Sequence, residues 1–223
     1  MNKPIFIYAD TEIEYLKSKD KPLSYAINII GHINRKVIPD LYMALINSII
    51  AQQISAKAVD TIWNRLLLLA DPFIPENIAK FSLDDIQKCG TTMKKANYIK
   101  DVSLNIINGK LDLNILKSLS DKEVCDTLVS IKGIGIWTAE MLMIFSMQRS
   151  NIFSYGDLAI HRGLRMLYGH KIITPKLFEK YRKRFSPYGS VASLYLWAIA
   201  GGAIPELREK SKNDSIILEN TIK

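Results

Sequence analysis

The chain has 223 residues, of which 48% are hydrophobic, and this is enough to bury a core in one domain or two small ones. Its formal net charge of +8 favours a polyanionic partner, although an ordinary basic protein has the same balance. The two cysteines, Cys89 and Cys125, lie far apart, which excludes a disulfide framework, a zinc knuckle and a four-cysteine iron–sulfur site.

The N-terminal sequence MNKPIFIYADTEIEYLK carries acids where a signal peptide would have its apolar core. No uninterrupted apolar run of about 18 residues follows it, so the sequence predicts no membrane partner. Together with the low cysteine content, this predicts a protein of the reducing cytoplasm.

Helical periodicity runs through almost the whole chain and predicts an all-α fold of about ten helices. The first strong stripe is Leu41–Ile50, and the strand-like segment before it, residues 4–8, is too short to build a sheet. Further stripes are predicted at Ala58–Leu69, Lys94–Ile107, Asp121–Ser130, Trp137–Phe145, Asp157–Tyr168, Pro175–Phe185 and Ser190–Ala200. Ser82, Ser120 and Thr174 are predicted helix caps. The polar end, Glu209–Lys223, is expected to fray.

A glycine-rich turn separates two of these helices. The segment Ser130–Gly135, called the glycine turn below, reads Ser-Ile-Lys-Gly-Ile-Gly. Both glycines can adopt backbone geometry that is closed to other residues, and N–H groups at a helix start suit a phosphate. Lys132 adds charge and Thr138 adds a hydroxyl in the next helical turn. A plain helix–helix connection explains the same residues.

An isolated acid, Asp157, follows this helical hairpin at the start of another predicted helix. The positive end of a helix keeps a carboxylate ionised, and an acid beyond a phosphate-binding turn could act on the molecule that carries the phosphate. Capping of the helix alone is the simpler interpretation, and one carboxylate can serve both purposes.

The combination of glycine turn and acid resembles the helix-hairpin-helix DNA glycosylase superfamily, which contains endonuclease III, and within it the 3-methyladenine DNA glycosylase II family. The main matching blocks are Ile131–Leu142 (IKGIGIWTAEML) and Phe153–Gly163 (FSYGDLAIHRG). Other blocks lie, in order, at Glu14–Lys17, Ile49–Ser55, Lys94–Ile99, Ser186–Ser190 and Tyr195–Trp197. The resemblance spans roughly residues 12–202, and several separate blocks in one order are more specific than any single motif.

This resemblance implies roles for individual residues. Asp157 stands at the family's catalytic aspartate, and Gln53 stands where the family inserts a wedge into the gap that base flipping leaves. The DNA strand is expected to contact Lys132, Gly133, Gly135 and Thr138. The substrate pocket is expected to include Trp137, Trp197 and Tyr195, whose aromatic faces attract cationic alkylated purines.

Two further features follow from the resemblance. Bifunctional members, which also cut the DNA strand, carry a nucleophilic lysine where this chain has Trp137, so a monofunctional enzyme that leaves an abasic site is predicted. The resemblance also implies that no cofactor is required. The superfamily can hold Na⁺ or K⁺ through backbone carbonyls at the positions of Val129, Ile131 and Ile134.

The resemblance also implies a two-lobed architecture. Residues 38–150 would form a helical barrel that ends in the hairpin, and residues 1–37 plus 151–223 would form the second lobe. The expected protein is a monomer that acts near the nucleoid on double-stranded DNA with damaged bases. Alkylated purines are the default substrate; hypoxanthine, ethenoadenine and uracil stay open, as does a DNA-binding protein without catalytic activity.

Overall fold

The computed structural model describes residues 4–208, and in this range the protein is all-α, as predicted. Twelve α-helices and one short 3-10 helix, Ile115–Lys117, are present within it. The α-helices are α1 Asp10–Lys19, α2 Lys21–Ile30, α3 Leu41–Ala51, α4 Ala56–Leu69, α5 Pro75–Lys80, α6 Leu83–Lys88, α7 Met93–Ile107, α8 Asp121–Val129, α9 Ile136–Phe145, α10 Leu158–Tyr168, α11 Pro175–Phe185 and α12 Gly189–Ala200.

The helices begin where the sequence predicts caps. The hydroxyls of Ser82, Ser120 and Thr174 each accept a hydrogen bond from the backbone N–H three residues later, at 3.1, 3.4 and 3.3 Å. Each bond satisfies an N–H group that a helix start leaves without an intrahelical partner. The three predicted caps are therefore confirmed.

Contacts divide the chain into two compact units. One unit contains Lys36–Gln148, and the other contains Ile5–Arg35 together with the described residues from Arg149 onward. In the first unit, helix α3 is the central element and packs against α4, α7 and α9. Its predicted stripe is confirmed, because Leu45, Ile46 and Ile50 are fully buried.

The second unit is organised around helix α12, which is buried along most of its length. Helices α10 and α12 approach each other backbone to backbone at Gly163. A Cβ atom built at this glycine would lie 2.3 Å from the carbonyl oxygen of Leu196, so no other residue fits here without a shift. Phe153, Phe178 and Phe185 form an aromatic cluster beside this pair, with ring centroids 4.8 and 5.7 Å from that of Phe153.

Residues 4–8 build no sheet, as expected from their length, and only Ile5 among them takes part in an isolated β-bridge. Among residues 4–208, no helix combines the length and the apolar character that crossing a membrane requires. The segment Glu209–Lys223, for which fraying was expected, lies outside the described residues.

Candidate nucleic-acid interface and carboxylate site

The glycine turn connects α8 to α9, and its two glycines differ in conformation. Gly133 has φ +91°, in the region that favours glycine, whereas Gly135 has φ −91° and ψ 169°, an extended conformation open to any residue. Of the two glycines, only Gly133 therefore uses backbone geometry that is closed to other residues. Gly135 is the N-cap of α9 but has no side chain with which to cap it, which leaves the start of α9 without the side-chain acceptor that α8 has in Ser120.

The glycine turn is held in place within the first unit by apolar contacts. Ile131 and Ile134 are buried, with exposures of 8 and 5%. A Cβ atom at Gly133 would lie 2.5 Å from the ring of Tyr98 on α7, so this glycine is also required by close packing. Lys132 and Gly135 are exposed and Thr138 is half-buried, so these predicted DNA-contacting residues lie together at the surface of one turn.

A second turn, Gln52–Ile54, is tied to the glycine turn by hydrogen bonds and is called the glutamine turn below. The Gln52 side-chain amide donates from Nε2 to the Gly133 carbonyl oxygen at 2.7 Å. The Lys95 ammonium donates from Nζ to the carbonyl oxygens of Ile50 and Gln52, at 2.8 and 2.6 Å. These bonds satisfy carbonyls at the C-terminus of α3, where a cation is also favoured by the helix dipole.

Lys95 therefore has a structural environment unlike that of a surface lysine. Partial burial disfavours the charged form and lowers the pKa of its ammonium group. Neither the role of Lys95 nor the link through Gln52 was predicted from the sequence. The available signal was that both fall in matching blocks, Ile49–Ser55 and Lys94–Ile99, but nothing local shows that these blocks meet.

Gln53, the predicted wedge, lies at the tip of the glutamine turn. It is exposed and has φ +60°, a left-handed conformation that is uncommon for any residue other than glycine. Its neighbour Ile54 is 37% exposed. The geometry presents the Gln53 side chain to solvent beside the glycine turn; its insertion between bases stays a prediction.

Asp157 opens α10 as its N-cap, in agreement with the sequence. Its Oδ1 atom accepts hydrogen bonds from the backbone N–H groups of Ala159 and Ile160, both at 2.9 Å. The same oxygen accepts a hydrogen bond from Trp197 Nε1 at 3.1 Å. The residue is only 6% exposed, so the carboxylate is held in a fixed orientation by the helix start and by the indole.

The loop before Asp157 is also held by a side chain of α10. His161 Nε2 lies 2.8 Å from the carbonyl oxygen of Tyr155 and, because a carbonyl can only accept, the imidazole donates this bond. The His161 ring also stacks on Phe178 at 5.2 Å between centroids. His161 therefore acts as a structural tie for the Tyr155–Asp157 loop.

The three predicted pocket aromatics occupy different environments. Trp137 is 50% exposed on α9, which rules out a core role for it. Trp197 is half-buried and contacts Asp157, as described above. Tyr195 is 1% exposed, and its hydroxyl donates to the Gly31 carbonyl oxygen at 3.1 Å. Burial leaves Tyr195 no face for a base, so the structure argues against its predicted place in the substrate pocket.

No group of three or more histidine, cysteine, aspartate or glutamate side chains that could hold a metal ion occurs in the described part of the chain. The predicted monovalent site uses backbone oxygens instead. Ile131 O accepts the Ile134 N–H at 3.0 Å, and a carbonyl oxygen has a second lone pair for another partner.

Comparison with known proteins places the chain in a family. A family model described as "HhH-GPD superfamily base excision DNA repair protein" matches residues 46–187. The DNA-3-methyladenine glycosylase 1 of Schizosaccharomyces pombe is 32% identical over 161 residues, which cover 70% of this chain and 71% of that protein.

Solved structures agree with this result. The crystal structure of a DNA-3-methyladenine glycosidase from Bacillus halodurans has a TM-score of 0.81 and 33% identity, over 94% of this chain and 97% of that one. A 3-methyladenine DNA glycosylase of S. pombe in complex with abasic DNA has a TM-score of 0.73 and 29% identity, over 86% of this chain and 97% of that one. The chain therefore belongs to the HhH-GPD superfamily of base excision DNA repair proteins.

Proposed function

We propose that the protein is a monofunctional DNA glycosylase that removes alkylated purines from double-stranded DNA and leaves an abasic site. The observation that carries this proposal is the Asp157 carboxylate, buried and oriented by the start of α10 and by the Trp197 indole. Membership of the superfamily and the names of the relatives, which are 3-methyladenine glycosylases, support the same activity.

The chemistry follows from the nature of the bond. Cleavage of the N-glycosidic bond gives the sugar an oxocarbenium character, which a nearby carboxylate stabilises electrostatically while water attacks. The base must first leave the duplex, because the enzyme cannot reach the bond inside the stack. Alkylation of a purine ring nitrogen makes the base cationic and a better leaving group, so no general acid is needed to protonate it.

The surface residues have complementary tasks in this proposal. The glycine turn, with Lys132, Gly135 and Thr138, binds a backbone phosphate. Gln53 fills the gap in the stack, and the exposed Trp137 offers an aromatic face to the cationic base. Trp137 also takes the position of the lysine on which strand-cutting members depend, and an indole forms no Schiff base.

We also propose a monovalent cation at the glycine turn, held by the backbone carbonyls of Val129, Ile131 and Ile134. Neutral oxygen ligands without a carboxylate suit a hard cation of low charge. When bound, the ion would add positive charge next to the phosphate. The protein itself supplies Lys132 and the N-terminus of α9 for the same purpose.

The proposed activity is tested by release of free base from methylated duplex DNA, with the wild type compared to Asp157→Asn. Asparagine caps a helix as well as aspartate does, so this variant keeps the fold and loses only the charge. We expect the wild type to release 3-methyladenine and the variant to be slower by at least about 100-fold, of the order of 2.7 kcal/mol.

The same reactions show whether the glycosylase is monofunctional or also cuts the DNA strand. DNA strands should be cut only after alkali treatment, and borohydride should trap no covalent complex. Release of hypoxanthine, ethenoadenine or uracil in place of 3-methyladenine would contradict the proposed substrate and identify another damaged base instead. Absence of any release, with DNA binding intact, would contradict the enzymatic function.

A further inference from the structure

Helix α11 concentrates much of the positive charge of the protein. Its eleven residues include five cations and a single acid, Glu179, which gives +4 of the formal net charge of +8. The cations are Lys176, Lys180, Arg182, Lys183 and Arg184. No residue of the glycine turn, the glutamine turn or the Asp157 site lies on this helix.

The two arginines are used within the protein. Arg182 donates from Nε and Nη2 to the two carboxylate oxygens of Glu179, both at 2.6 Å. Arg184 donates from Nη1 to Oδ2 of the buried Asp20 at 2.5 Å. These bonds engage the single acid of α11 and attach the C-terminal end of the helix to the residue that caps α2.

The three lysines have a different environment. Lys176 and Lys180 are exposed and form no ion pair within residues 4–208. Lys183 is exposed and lies 3.9 Å from Glu179, whose carboxylate already binds Arg182. Spacings of four and three residues place the three side chains within about 60° of one another around the helix and along about 10 Å of its axis. We call this surface the lysine face.

The opposite side of α11 fixes the orientation of the lysine face. Phe178, Tyr181 and Phe185 are buried, with exposures of 3, 4 and 0%. The helix therefore cannot turn its lysines inward, and the three lysines form a row of exposed side chains on its solvent side. Such a row repels itself and is stabilised by a partner with a row of negative charges.

We propose that the lysine face is a phosphate-contacting surface for duplex DNA, separate from the glycine turn. This inference rests on the proposed function. Ammonium groups are point charges that bind phosphate without the fixed bidentate geometry of arginine, so their contacts form and break as the backbone moves. The face carries no aromatic or amide side chain with which to read a base. It would hold the enzyme on undamaged DNA during the search for rare damaged bases.

The test is the salt dependence of binding to an undamaged duplex, measured by fluorescence anisotropy. The variant K176Q/K180Q/K183Q removes the lysine face. The matched control K80Q/K88Q/K122Q removes three exposed lysines from the other unit and lowers the net charge by the same amount. A third variant, K176R/K180R/K183R, keeps the charge. Thermal unfolding checks that all of them fold.

Each phosphate contact contributes about −0.9 to the slope of log K against log salt. We therefore expect the lysine-face variant to reduce the magnitude of this slope by about 2 to 3. The control should lower it by less than about 1, and the arginine variant should keep it. Equal slopes for the glutamine variant and the control would overturn the proposal. The proposal would also be overturned if the glutamine variant bound DNA as the control does but lost binding to phosphatidylserine vesicles. That result would assign the lysine face to a lipid surface.

Failure of this proposal is distinguishable from failure of the proposed function. If Lys132→Gln lowers the slope and the lysine-face variant does not, the enzyme binds DNA without the lysine face. If the wild type itself shows no salt dependence of DNA binding and releases no base, both proposals fail.

Discussion

Asp157 has a role in the fold as well as in the proposed chemistry. Its Oδ1 atom caps α10 and accepts the Trp197 indole N–H, so the carboxylate cannot rotate without the loss of several hydrogen bonds. A preorganised charge needs no rearrangement when the sugar becomes cationic, and this is where an enzyme gains most from electrostatics. Burial at 6% exposure strengthens the effect by excluding water.

Trp197→Phe tests whether the indole N–H orients the carboxylate. The substitution removes the hydrogen bond at 3.1 Å and keeps most of the aromatic volume. We expect the single-turnover rate of base release to fall about tenfold, equivalent to about 1.4 kcal/mol, with little change in affinity for undamaged DNA.

Trp63→Phe is the matched control, because Trp63 packs edge-on against Phe73 in the first unit, at 5.0 Å between centroids. Its rate should equal that of the wild type. If Trp197→Phe releases base as fast as this control, the proposed positioning role of Trp197 is wrong.

The two glycines of the glycine turn give a paired prediction. Gly133→Ala should destabilise the protein by about 1 to 3 kcal/mol, because φ +91° is strained for alanine and its Cβ would collide with Tyr98. Gly135→Ala should change stability by less than about 0.5 kcal/mol, because φ is −91° and no atom lies within 4 Å of the new Cβ.

Denaturant unfolding of both variants provides the stability comparison, and anisotropy provides DNA affinity. We expect Gly135→Ala to weaken DNA binding with its stability intact, since the added methyl group lies where the phosphate is proposed to approach. Equal destabilisation by the two substitutions would contradict the conformational difference described here.

At the scale of elements, two side chains connect the C-terminal end of α3 to neighbouring parts of the first unit. Lys95 on α7 holds the last carbonyls of α3, and Gln52 connects the glutamine turn to Gly133. The turn that carries the proposed wedge and the turn proposed to bind phosphate therefore share one hydrogen-bonded network within the first unit.

Lys95→Met tests this network. The substitution keeps the aliphatic part of the side chain and removes both hydrogen bonds to α3, which should loosen the backbone around Gln53. We expect base release to slow by more than the affinity for undamaged DNA falls, because Gln53 is proposed to act during base flipping. The single-turnover rate and the dissociation constant for undamaged duplex are the two measurements.

Lys100→Met is the control for this change, since Lys100 lies on the same helix and donates in the same way to the Phe81 carbonyl oxygen after α5. It should lower the unfolding temperature without a specific effect on catalysis. If both variants lose stability and activity in equal proportion, Lys95 has only a structural role.

At the scale of the whole molecule, the helices could be predicted because their signals are local. Apolar residues at three- and four-residue spacing and caps such as Ser120 depend only on neighbours in sequence, and both were found where predicted. The contact of Trp197 with Asp157 joins residues 40 positions apart, and that of Gln52 with Gly133 joins residues 81 apart. Periodicity carries no information on such pairs.

Burial of single residues was equally hard to predict. Tyr195 and Trp197 belong to the same matching block, yet one lies in the core at 1% exposure and the other reaches Asp157. Two positions along a helix differ by about 200° in direction, so a motif that spans a helix does not say which of its aromatics faces a ligand. Only the packing of α12 within its unit decides this.

The left-handed backbone of Gln53 sets stability against the proposed wedge function at this one position. A glycine at that position would adopt φ +60° without strain and would relieve about 1 kcal/mol. The same replacement would delete the side chain proposed to occupy the gap in the base stack. With the proposed wedge role, stability and repair would favour different residues at this position.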